Sequence, residues 1–341
     1  MNKIVSRIID SYALNHMHKE KSSKSHFLAG KSQNLKLEDF LSFYKEPLTP
    51  AVRLDESACN LTCHVLKQNK IINNYAMGKY FFESQIKDNG KSNDNVIGIY
   101  RRNVDNKDAP NVIFVHGWRM NSSNRIDEIY LKNLMNLGFN MYYFTMPYHL
   151  ERNSTDSLYN GELMISADVN RSLMSVQQAV SDLRSLIRWI KATSKGKIIL
   201  IGVSLGGFLT NLTCAVERNI DAAISVFYAN NLANTIWNTI PGKYIKQDFE
   251  RNSSFTYSDL NECWKIITPS SFKPVISREN ILLLSAIYDK YIDIDDANEL
   301  WKEWGNPNRI LYKCGHAGIV LLKNRIANDS LKFIEKILQS N

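Results

Sequence analysis

The chain has 341 residues, 44% of them hydrophobic and 22% charged, with a formal charge of +8. That size and balance fit a soluble globular protein with a large buried core, as one domain with an appended segment or as two domains. The basic residues are spread along the whole chain, with a loose cluster at Lys19, Lys21 and Lys24. No nucleic-acid-binding signature accompanies them, so no nucleic acid is expected as partner, although a diffuse positive surface favours anionic substrates modestly.

Arg7, Asp10, Asn15, His16 and His18 interrupt any apolar run at the start. No secretory leader is therefore expected, no later stretch is long enough to span a bilayer, and the expected location is cytoplasmic. Val5, Ile8, Ile9 and Tyr12 predict one amphipathic helix, and Leu37, Phe40, Leu41 and Tyr44 a second, ended near Pro47. Ser22 to Ser32 reads as a polar loop. Cys59-x-x-x-Cys63-His64 suggests a metal site, but zinc sites usually need a second ligand pair and none with suitable spacing follows. No metal is expected. The five cysteines lack a disulfide framework's spacing and read as reduced thiols. Residues 61–67, 76–83 and 96–101 alternate like antiparallel strands.

From about residue 110 short apolar runs alternate with helix-period segments, the pattern of a mostly parallel sheet covered by helices. Strands are predicted at 111–115, 138–145, from 197 into the Gly202 turn, 222–228, 281–286 and 309–313. Helices are predicted at 125–137, 172–193, 208–217, 295–304 and 328–338. Leu173, Val176, Val180, Leu183, Ile187 and Ile190 form one stripe, which reads as core packing. Residues 230–275 interrupt the rhythm with Trp237, Tyr244, Phe249, Phe255, Tyr257 and Trp264. This insertion is either a lid or substrate wall, or a surface excursion with its own packing cluster.

The chemistry centres on Gly202-Val203-Ser204-Leu205-Gly206 at the end of a β-branched strand. A serine between glycines suits a tight strand-to-helix turn that pushes the hydroxyl out above the sheet. Ser204 needs a base oriented by a third group. His316, in Cys314-Gly315-His316-Ala317-Gly318 after the last strand, is the base. Asp289, just past the strand at 281–286, is the favoured acid. Asp293, Asp295 and Asp296 compete, but helix capping accounts for Asp295 or Asp296. The N–H groups of Leu205 and Trp118 are placed to hold an oxyanion, and His116 is expected to shape its turn rather than carry a proton.

These four elements, in this order on these strands, resemble the α/β-hydrolase superfamily over roughly residues 95–340. The resemblance implies an eight-stranded sheet, usually with one antiparallel strand, helices on both faces, and no cofactor. It divides the chain into an N-terminal helical extension at 1–60 and an α/β-hydrolase domain at 61–341, with 230–275 as a lid-like insertion. Pro147-Tyr148-His149 with Arg152, then Gly161-Glu162, resembles a little-characterised bacterial branch. His149 or Arg152 either touches a substrate carboxylate or phosphate, or orders its loop.

The implied activity is hydrolysis of a carboxylic ester or thioester, with a small acyl compound as substrate. A peptidase, lipase, carbon–carbon hydrolase or acyltransferase would share the triad, since pocket contacts separate these. A non-catalytic binding protein on the same scaffold is the alternative of another class.

Overall fold

The computed structural model describes residues 2–19, 25–28, 35–57, 75–87 and 93–339. The strand expected at 61–67 and the Cys59, Cys63 and His64 group lie outside the described residues.

Helix α1 (Lys3–Met17) starts at Asn2, whose side chain accepts the Val5 N–H at 2.9 Å. The helix is where the apolar spacing predicts it, but it docks by its other face. Ile4, Val5, Ile8 and Tyr12 are exposed, while Ser6, Asp10 and Leu14 are buried. At Asp10 the surface that α1 meets presents backbone N–H groups, which a carboxylate suits better than an isoleucine. The second helix is a single turn, α2 (Phe40–Phe43), whose Phe40 and Phe43 join the core.

Strands β1 (Arg53–Asp55), β2 (Tyr75–Glu83) and β3 (Asn95–Asn103) form an antiparallel meander. Then β4 (Asn111–Val115), α3 (Asn124–Asn136), β5 (Asn140–Phe144), α4 (Val169–Thr193), β6 (Ile198–Val203), α5 (Leu205–Cys214) and β7 (Ala222–Val226) alternate. The insertion supplies α6 (Leu232–Asn238), α7 (Lys243–Asn252) and α8 (Tyr257–Cys263). The chain closes with β8 (Ile281–Ala286), α9 (Ile294–Glu303), β9 (Asn308–Tyr312) and α10 (Lys323–Gln339).

The nine strands make one sheet in the order β1-β2-β3-β5-β4-β6-β7-β8-β9. From β5 to β9 all neighbours are parallel, and β3 pairs antiparallel with β5. The sheet is thus one strand wider than the resemblance implies, and two strands, β1 and β3, run against the rest. Strand β6 shows why the centre is a strand buried on both faces. Ile198 and Leu200 face the core under α4 and α5, while Ile199, Ile201 and Val203 face the core under α3 and α10. The α4 stripe is buried throughout, as core packing requires.

The insertion buries Phe249, Leu260 and Trp264 in the α4 side of the core, and the Trp264 indole N–H donates to the Val169 carbonyl at 3.4 Å. Phe249 also packs between Trp237 and Phe255. Because β4, β6, β8 and β9 run parallel, the segments that follow them all leave from one edge of the sheet. Those segments contain His116–Trp118, Ser204, Asp289 and His316.

Candidate active site

Ser204 joins β6 to α5 with φ 57° and ψ −117°, a left-handed conformation that a non-glycine residue adopts only under constraint. The constraint is the close approach of α5 to β4. A Cβ at Gly206 would stand 2.1 Å from the Val115 carbonyl oxygen, so only glycine lets the two elements meet.

The Ser204 Oγ lies 3.0 Å from His316 Nε2, and His316 Nδ1 lies 2.7 Å from Asp289 Oδ2. A carboxylate can only accept, so Nδ1 carries the proton and Nε2 presents its lone pair to the serine hydroxyl. The His316 side chain is 13% exposed and that of Asp289 3%, so the relay lies at the rim of a nearly dry site. Asp289 Oδ1 accepts the Tyr291 and Ile292 N–H groups at 2.7 and 3.0 Å, which fixes the carboxylate while Oδ2 faces the imidazole. The Tyr291 ring stacks on His316 with centroids 4.5 Å apart and planes 17° apart, and Phe227 packs at 6.1 Å.

The competing carboxylates have other partners. Asp293, not Asp295 or Asp296, caps α9, with Oδ1 accepting the Asp295 N–H at 3.0 Å. Asp295 accepts from the Asn298 amide, and Asp296 accepts the backbone N–H groups of Asn230 and Asn231. Burial pushes the Asp296 carboxyl up to about 7 against the pull of those N–H bonds.

The turn after β4 lies against the serine, for a Cβ on Gly117 would sit 3.4 Å from Ser204 Cβ. His116 Nε2 accepts the Met146 N–H at 3.2 Å, so its Nδ1 holds the proton and donates to the Gly117 carbonyl at 2.9 Å. Burial pushes this imidazole down to about 4, which keeps it neutral as a fixed strut of the turn. The Trp118 indole N–H donates to the Gly161 carbonyl at 2.9 Å, tying the turn to the next loop. Leu205 opens α5, where the first N–H groups have no partner inside the helix.

His149 and Arg152 both have partners within and beside their loop. Arg152 is fully buried, and its guanidinium donates to the Thr145 and Asn93 carbonyls at 3.0 and 2.8 Å and to Asp182 at 2.7 Å. His149 is equally buried, with Nδ1 at 2.9 Å from the Pro147 carbonyl and its ring packed edgewise on His116. Burial, then the neighbouring His116, pushes its imidazole well down, which favours the neutral form.

Sequence reasoning missed two residues that touch this site, Asp10 and Tyr291. Asp10 is separated from the triad by hundreds of residues, and Tyr291 looks like any loop aromatic. Among the described residues, no cluster of three or more His, Cys, Asp or Glu side chains could hold a metal ion. Among them too, no helix is long and apolar enough to cross a membrane.

No protein-family model matches the chain. Over 115 residues, 34% of this chain and 98% of the relative, it is 50% identical to the uncharacterized protein YdjC of Bacillus subtilis (strain 168). The chain belongs to the YdjC family. A further relative, the uncharacterized protein Rv2627c of Mycobacterium tuberculosis, is 26% identical over 184 residues, which span 53% of this chain and 43% of that protein. This YdjC-family chain also matches solved structures at low identity. Acetyl xylan esterase 1 from Thermoanaerobacterium sp. JW/SL YS485 aligns with TM-score 0.64 and 13% identity over 90% of this chain and 96% of its own. The acetyl xylan esterase of Paenibacillus sp. R4 gives 0.63 and 13% over 95% and 99%. An acylaminoacyl peptidase of Pyrococcus horikoshii gives 0.58 and 14% over 80% of this chain and 43% of its own. The α/β-hydrolase fold is shared with all three.

Proposed function

We propose that this chain is a serine hydrolase that cleaves a carboxylic ester or thioester through an acyl-enzyme. The observation that supports it most is the unbroken hydrogen-bonded relay from Ser204 through His316 to Asp289. As His316 Nε2 takes the hydroxyl proton, Ser204 Oγ attacks the acyl carbon and the carbonyl oxygen becomes an oxyanion. The Leu205 and Trp118 N–H groups receive that charge. Asp289 holds Nδ1–H and stabilises the imidazolium without taking its proton. The intermediate collapses, the bond to the leaving group breaks, and His316 returns its proton to the departing oxygen or sulfur. Water, activated by the same imidazole, then releases the carboxylic acid and restores Ser204.

Two neighbours matched over almost their whole length are named acetyl xylan esterases, so short acyl esters are the first substrates of this reading. A fluorophosphonate probe tests it: the wild type becomes labelled and Ser204→Ala does not. Equal labelling of both proteins overturns the assignment.

A further inference from the structure

We infer that Asp10, on α1, is a positioning residue for the triad, its carboxylate clamping together the two loops that carry the acid and the base. Asp10 Oδ2 accepts the Lys290 N–H at 3.0 Å and the His316 N–H at 3.0 Å, and Oδ1 accepts the Ala317 N–H at 2.9 Å. One donor belongs to the residue after Asp289, another to His316 itself. No backbone hydrogen bond of β8 or β9 reaches these three N–H groups, because both strands have already ended. A two-oxygen acceptor brought in from outside the sheet satisfies all three at once.

Three further observations agree. Asp10 is fully buried, although Ile4, Val5, Ile8 and Tyr12 of α1 are exposed, so α1 is seated through this carboxylate and its buried neighbours Ser6 and Leu14. A Cβ at Gly315 would stand 2.5 Å from Asp10 Oδ2, so the glycine before the catalytic histidine is what admits the carboxylate. Beside it, the Lys290 ammonium donates to Ser11 at 2.8 Å, a second tie between α1 and the acid loop. Burial raises the Asp10 carboxyl and the charge of Asp289 raises it further, while the three N–H bonds oppose both. Helix α1 is therefore part of the site: it sets the position of His316 from behind.

This inference rests on the serine-hydrolase reading, and its test separates the two. The full-length wild type, Asp10→Ala, Asp10→Asn, Leu14→Ala and Ser204→Ala are compared on p-nitrophenyl acetate at a temperature well below each melting midpoint. Asp10→Ala is expected to lower kcat by about 10–100-fold with KM within about twofold, because a displaced base slows the chemical step without altering the acyl pocket. Asp10→Asn keeps the shape and one acceptor oxygen and falls between; it decides the matter if the alanine variant does not fold. The proton resonance of the His316 Nδ1–H bond to Asp289 shifts or broadens in both. Leu14→Ala trims apolar packing while the three N–H bonds to Asp10 still hold α1 in place, so it keeps the wild-type kcat and resonance. An Asp10→Asn protein with wild-type kcat and resonance overturns the inference, as does a loss in Leu14→Ala equal to that in Asp10→Ala. Hydrolysis by Ser204→Ala at the wild-type rate overturns the parent reading, and the role of Asp10 with it.

Discussion

Replacing Arg152 by methionine separates a structural guanidinium from a substrate-binding one. The Asp182 side chain is 1% exposed, and the substitution leaves it with the Ser84 hydroxyl and the more distant Lys87 but no hydrogen-bonded cation. Leaving a buried charge without its partner costs about 3–5 kcal/mol. A chain of this length unfolds with an entropy of about 0.7 kcal/mol/K, so the melting midpoint falls by about 4–7 °C. The deficit is largest near neutral pH and narrows in mild acid. Burial already raises the Asp182 carboxyl in the folded protein, with Arg152 and Ser84 opposing, so without Arg152 the folded state takes up a proton more readily and sheds the unpaired charge. Thermal melts followed by circular dichroism at neutral and mildly acidic pH read this directly. Steady-state ester hydrolysis well below the midpoint, with kcat/KM within about threefold of wild type, completes the expectation. A midpoint that does not move, together with a KM raised about tenfold or more, would show that Arg152 meets the substrate and would refute the argument.

Two other outcomes follow from the same geometry. His116 is held near 4 in the folded protein against an ordinary 6.5. The unfolded chain therefore binds a proton that the folded one refuses, and stability that is full above pH 6.5 declines toward pH 4 by about 3 kcal/mol. Melts of wild type and His116→Gln across that window check it: the variant shows the shallower slope, and identical slopes would count against it. A methyl group at Gly206 must push α5 off β4, so Gly206→Ala lowers kcat/KM by about 100-fold. Unchanged kinetics in a crystal structure with the 204–206 turn intact would contradict that.

The parallel half of the sheet was legible because its strands are short apolar runs alternating with segments of helical period. The elbow was legible because glycine at 206 answers a steric demand next to a serine at a strand-to-helix turn. His316 and Asp289 followed from chain order and from strand ends, both of which are local. What was not legible depends on contacts that sequence spacing does not encode. The apolar spacing of α1 marked the face that stays outside, because the inner face had to meet three backbone N–H groups instead of a core. For Arg152 the sequence leaves a substrate anion and loop ordering both open, since nothing in it shows that Asp182, thirty residues away on α4, reaches the guanidinium. The capping role falls to Asp293 because α9 begins one residue earlier than its charge pattern suggests, which frees Asp296 to hold the start of the insertion. The aromatic residues of the insertion were visible, but their burial against α4 was not.

The most direct test of the central claim is to trap the covalent intermediate. The protein is quenched in acid during turnover of p-nitrophenyl acetate and its peptides are mapped by mass spectrometry. An acetyl group is expected on Ser204 in the wild type, far less of it in His316→Ala, where no imidazole takes the hydroxyl proton, and none in Ser204→Ala. Acetylation confined to another residue, or turnover by Ser204→Ala at the wild-type rate, would contradict it.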